Sequence, residues 1–110
     1  MTYGEFERFL KKTATDVGLE IESVRVRPDA LYGYLADVIV RKTPKAYSQY
    51  LELERRVAAR FRALGQDAPR AGWYEWSGVF PDIPQGCAMV EFDLFTLRPD
   101  APPRRRRARG

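Results

Sequence analysis

Histidine is absent from this 110-residue chain, and cysteine occurs once, as Cys87. Without imidazole the chain lacks the commonest general base, the commonest zinc ligand and every Ser–His or Cys–His nucleophile pair. A single cysteine excludes an intrachain disulfide and a thiolate metal cage. It also points to a reducing, cytoplasmic setting. No apolar run approaches the roughly 18 residues of a membrane-spanning helix. The first residues lack the ordered basic, apolar and small-residue regions of a secretory leader. There is no glycine-rich phosphate loop and no metal-ligand motif. These absences argue against an enzyme, and they suggest no cofactor, no metal, no membrane and no small-molecule substrate.

What is present is an uneven distribution of charge. The formal net charge is +4, from 19 basic and 15 acidic side chains. Residues 98–110 hold six of the arginines (Arg98, Arg104, Arg105, Arg106, Arg107 and Arg109) and one acid, Asp100. The remainder therefore keeps 13 basic and 14 acidic groups, a balance of −1. The basic character belongs to the C-terminal segment and not to the rest of the chain. That segment is rich in Pro and Arg and has no core residue, so it reads as a disordered tail after a single domain over 1–97.

Along the domain, hydrophobic spacing alternates between periods of three to four and of two. Thr2 and Glu5 have the spacing of a capping box, with Met1 and Phe6 as a hydrophobic staple. Tyr3, Phe6, Phe9, Leu10 and Val17 then share a helical face that Gly18 ends. Residues 19–27 read as a strand whose alternation changes phase near Glu22–Ser23, the mark of a bulge. Pro28–Asp29 suits a turn into a second strand over 32–41, giving an antiparallel hairpin. In that strand Tyr32, Tyr34, Ala36, Val38 and Val40 share one face. Thr43–Pro44 suggests a cap and first turn for a helix running to Leu64. Its buried stripe would be Ala46, Tyr50, Leu53, Val57, Phe61 and Leu64. A loop over 65–72 leads to an aromatic strand, Trp73–Phe80, and a long turn leads to the best strand, Cys87–Leu97.

The order is helix, strand, strand, helix, strand, strand. Two amphipathic helices need one apolar sheet face, which predicts an α+β two-layer sandwich with a four-stranded, mainly antiparallel sheet and both helices on one face. The same order arises from a ferredoxin-like fold with its first strand moved to the end. The helix–hairpin–helix–hairpin order over residues 1–97, closing on the long strand Cys87–Leu97, loosely resembles that of small phage tail-completion or connector subunits. That resemblance is one of element order alone, and it implies self-association as a structural assembly subunit.

Three groups of residues are candidates for function. Arg104, Arg105, Arg106, Arg107 and Arg109 form a multivalent cation suited to nucleic acid or another polyanion, with salt-sensitive and sequence-blind binding. Trp73, Tyr74, Trp76 and Phe80 cannot all be buried on one strand face, so at least one is expected outside the main core. With Arg70 they suggest a protein-binding hot spot or a base-stacking platform, against the favoured reading of a rim aromatic half covered by the 65–72 loop or the first helix. Asp37, Glu91 and Asp93 share the sheet face opposite the apolar one. They are expected to be the solvated side of a one-sided sheet, with a divalent-cation site as the less favoured reading. Arg55, Arg56, Arg60 and Arg62 read as a solvated helix face, and Cys87 as a small apolar residue opening a strand. The resulting expectation is a non-enzymatic module that docks on a protein partner or on itself and reaches a polyanion through its arginines.

Overall fold

A computed structural model of the chain describes residues 1–29, 33–75 and 83–94. Tyr32, Trp76, Phe80 and the arginine-rich segment 98–110 lie outside the described residues. The elements are α1 (Tyr3–Val17), β1 (Ile21–Asp29), β2 (Gly33–Arg41), α2 (Ala46–Ala63), β3 (Ala71–Glu75) and β4 (Cys87–Asp93). They form the expected two-layer α+β sandwich, with a four-stranded antiparallel sheet in the order β1-β2-β4-β3. β2 and β3 are therefore parallel and joined through α2, with β4 inserted between them as in a split βαβ unit. This is the strand order that a ferredoxin-like sheet acquires when its first strand is relocated to the end of the chain.

Local chemistry sets the limits of α1. The Thr2 hydroxyl accepts the Glu5 N–H at 3.3 Å, and Glu5 Oε1 accepts the Thr2 N–H at 2.8 Å, completing the capping box. At the other end Gly18 takes φ +92°, and a β-carbon there would lie 2.7 Å from Gln49 Nε2. The left-handed backbone calls for glycine at this position, whereas the Gln49 amide, at the end of a flexible side chain, could move aside.

The apolar faces of both helices meet one face of the sheet. Phe6 lies at the centre, with its ring edge-on to Phe61 at 6.0 Å and to Phe92 at 5.5 Å. Leu10 and Ala14 from α1, Tyr50, Leu53 and Val57 from α2, and Ala36, Val38, Val40, Ala88 and Val90 from the sheet complete the cluster. Met1, Tyr3, Phe9 and Val17 pack partly buried against it. Cys87 is buried, as expected.

Several boundaries differ from expectation. β1 continues through Pro28, paired with Tyr34, and Asp29, paired with Gly33, instead of turning there. β1 is an edge strand, so one side of its backbone needs no partner, which is where a sheet accepts proline. The bulge falls between Ile21 and Ser23 as anticipated. α2 begins at Ala46, not Pro44. Thr43 provides no side-chain cap but accepts the Ala46 N–H through its carbonyl at 3.1 Å, so a turn precedes the helix. Leu64 leaves the buried stripe and is 45% exposed, because the helix ends one residue before it. β3 starts two residues early, at Ala71. β4 is described to Asp93, and Leu94 still donates its N–H to the Tyr34 carbonyl at 2.9 Å.

Because Phe6 fills the junction of both helices with β4, Phe6→Ala is expected to destabilise the fold by about 3–5 kcal/mol, the range for large aromatic truncations in a core. Urea unfolding followed by tryptophan fluorescence measures this.

Candidate functional site

The face of the sheet away from the helices is not simply solvated. Leu35, Asp37, Cys87 and Met89 all lie on it and are all buried. Ile83, just before β4, folds over this face and packs with Cys87, Met89, Ile39 and Tyr74 as a second apolar cluster. Beside it runs a groove of about 640 Å³ lined by Ser23, Arg25, Arg27, Asp37, Ile39, Ile83 and Met89.

The antiparallel registers draw one row across all four strands. Arg25 stands opposite Asp37, Asp37 opposite Glu91, and Glu91 opposite Gly72. Two carboxylates facing each other across a strand pair destabilise it unless a cation intervenes. Arg27 supplies that cation from two residues further along β1. Its Nε donates to Asp37 Oδ2 at 2.5 Å and its Nη2 to Glu91 Oε2 at 3.2 Å. Arg25 lies further off, 3.8 Å from Asp37 Oδ2, and Arg70 is 3.7 Å from Asp93 Oδ2. The Asp37 side chain is only 7% exposed and that of Glu91 19%. Burial, then the charge of Asp37 and a hydrogen bond with it, hold the Glu91 carboxyl above the usual glutamate range. Arg27 pulls the other way, and Asp93 adds to the rise.

The three acids that the sequence places on one face are therefore together. Arg27 lies against two of them and Arg70 against the third. Among the described residues no cluster of three or more acids, cysteines or histidines has the geometry to hold an ion.

The aromatic candidates separate onto two faces. Trp73 turns to the helix side, with its ring 5.3 Å from Tyr50 and 5.5 Å from Tyr47, and its indole N–H donates to Glu75 Oε2 at 3.0 Å. That bond, with Lys42 bonded to the same carboxylate at 3.0 Å, keeps the Glu75 carboxyl below its ordinary range. Burial first, then Glu54, Tyr47 and Tyr74, push the Tyr50 phenol up to about 12. Tyr74 takes the opposite face and joins the Ile83 cluster. Arg70 is exposed at the approach to β3. Arg55 and Arg56 both pair with Glu52, and Arg60 lies 5.8 Å over the Phe9 ring.

Two residues outside the sequence-based candidates complete this edge. Tyr47 and Leu51 are 53% and 44% exposed and one turn apart on α2, Tyr47 beside Trp73 and Leu51 near the start of β3 at Ala71. An open depression of about 830 Å³ continues from Leu51 past Ala58, Ala68 and Pro69 to Arg70 and Ala71. The signal for them in the sequence is that Tyr47 and Leu51 are apolar residues four apart, off the stripe that fills the core.

Compared with known proteins, the chain matches no family model, no curated protein and no solved structure. No helix among the described residues is long and apolar enough to cross a membrane.

Removing Arg27 leaves Asp37 and Glu91 facing each other. Arg27→Met is expected to destabilise the protein by about 2 kcal/mol, less than a fully buried pair because the arginine is partly exposed. Arg25→Met should have little effect. The difference between the two is expected to widen as pH rises and Glu91 ionises, and thermal melts across the acid range check it.

Proposed function

We propose that this protein is a non-enzymatic binding module whose folded body docks on a protein partner along the β3 edge, while its C-terminal arginines contact nucleic acid or another polyanion. The observation that carries the docking reading is the exposure of Tyr47, beside Trp73, and of Leu51, near Ala71, along an edge strand of the described sheet. Exposed aromatic and aliphatic side chains flanking a strand with no outer neighbour among the described residues suit an extended partner segment. Backbone hydrogen bonds would supply affinity, and alternate side chains would reach the depression, where Leu51, Ala58 and Pro69 stand among Glu54, Arg55 and Arg70. The polyanion reading rests on the charge partition, with +5 over residues 98–110 against −1 elsewhere. A reducing, cytoplasmic compartment suits the lone buried thiol of Cys87.

A second reading, a structural assembly subunit, draws on the same edge. An antiparallel strand can pair with its own copy about a two-fold axis, which would make β3 the contact of a homo-oligomer.

The experiment is affinity capture with and without nuclease treatment, alongside light scattering of the purified chain. Tyr47→Ser/Leu51→Ser replaces two half-exposed side chains, so the variant should remain folded with a loss of about 1–2 kcal/mol from the Tyr47 ring contacts and from helix propensity. It is expected to lose at least nine-tenths of nuclease-resistant partner capture on the first reading. On the second reading it converts an oligomer to a monomer. No change in either measurement would defeat the docking reading.

Replacing Arg104, Arg105, Arg106 and Arg107 by Ser should weaken binding to a single-stranded oligonucleotide. It should also flatten the slope of log K against log salt by about 3, since each phosphate neutralised on a single strand contributes about 0.7. Fluorescence anisotropy over a salt series measures both.

A further inference from the structure

The ionic row on the open sheet face contains an unmet demand. Asp37 Oδ1 is buried beyond the reach of solvent and receives no hydrogen bond among the described residues, while Arg27 serves the other oxygen, Oδ2. A buried carboxylate oxygen without a donor is destabilising, so a donor nearby is favoured. Glu91 is the direct cross-strand partner of Asp37, and its own Oε2 is anchored by the same guanidinium at 3.2 Å. A protonated carboxyl has an O–H to give and an ionised one has none.

We propose that Glu91 and Asp37 share one proton, with the neutral Glu91 carboxyl donating to Asp37 Oδ1, so that the seam between β2 and β4 is fastened by a clasp that opens as pH rises.

Facing Glu91 are Arg25 and Arg27 from β1, Asp37 from β2, Asp93 on β4, Tyr74 from β3 and Arg70 ahead of it. Arg25 and Arg27 lie against Asp37 and Arg70 against Asp93, so the three arginines offset all three acids when Glu91 is ionised and leave one positive charge in excess when it is neutral. What favours the proton is the buried Asp37 Oδ1 that lacks a donor and the direct opposition of two carboxylates across the sheet. Directly opposite Glu91 is Gly72, where a β-carbon would lie 2.9 Å from Tyr74 Oη and from the edge of its ring. The absent side chain leaves room for the Tyr74 ring over Gly72, and Tyr74 and Glu91 line a common depression of about 220 Å³ with Arg70 and Asp93. Burial favours the neutral acid, as does the negative charge of Asp37.

The sign follows from linkage. A carboxyl whose folded-state pKa is raised adds stability that is fully present below its unfolded value. That stability is lost as pH rises through the folded value. The clasp therefore weakens in the direction opposite to an ordinary carboxylate ion pair. It is independent of the docking surface at the β3 edge and stands whatever that edge binds.

The test is carbon-detected NMR titration of the full chain, following Glu91 Cδ. The expected midpoint lies above the ordinary glutamate value of about 4.3, and Asp37→Asn should lower it. A Glu91 midpoint at or below the ordinary value overturns the proposal, as does a raised midpoint that Asp37→Asn leaves unchanged. If Asp37→Asn does not fold, thermal melting of Glu91→Gln decides. Its side-chain amide can donate to Oδ1 at every pH, so the fall in melting temperature expected of the parent as pH rises through the Glu91 midpoint should disappear. Persistence of that fall in Glu91→Gln overturns the proposal.

Discussion

The insertion of β4 between β2 and β3 is the constraint on which the rest of the structure depends. It places the two most apolar strands side by side at the centre and commits both of their faces. On one side Ala36, Val38, Val40, Ala88, Val90 and Phe92 receive the helices. On the other, the same pairing forces Asp37 against Glu91. The register cannot slip by one residue to relieve that opposition, because a slip would turn the core side chains out to water. The carboxylates are therefore brought together as a consequence of building the core, and Arg27 on β1 offsets their repulsion. Hydrophobic burial fixes the geometry, and electrostatics adapts to it.

Much of the fold was legible because its signals are local. Thr2 and Glu5, Gly18, the bulge after Ile21 and the Tyr50–Leu53–Val57–Phe61 stripe each act within a few residues of chain, and each is found where the spacing places it. Strand ends were less legible. Pro28 reads as a turn residue until β1 is known to lie at an edge, where the missing N–H does no harm. Thr43–Pro44 has the pattern of a helix cap, yet a turn intervenes through the Thr43 carbonyl. In each case the deciding fact is a neighbour in space.

The candidate site shows the same division. Alternation alone puts Asp37, Glu91 and Asp93 on one face, but nothing in the spacing says that Arg27 reaches diagonally to two of them. Nor does it say that Ile83 packs over that face, since its contacts Ile39 and Tyr74 come from two other strands. Trp73 and Tyr74 separate onto opposite faces, as the period of two requires. Tyr47 and Leu51 lie off the buried stripe, so helical periodicity assigns them no role. Surface apolar residues on a helix acquire meaning only when a sheet edge is known to run alongside.

The two borders of the sheet are unequal. β1 carries a bulge, a proline and the charges of Glu22, Arg25 and Arg27, features that discourage a further strand from joining. β3, described over Ala71–Glu75, has Trp73 and Tyr47 at its flank. If β3 is the docking edge proposed above, two copies meeting through it would form one eight-stranded layer of the described strands with β1 at both borders, where its bulge, proline and charges oppose further growth.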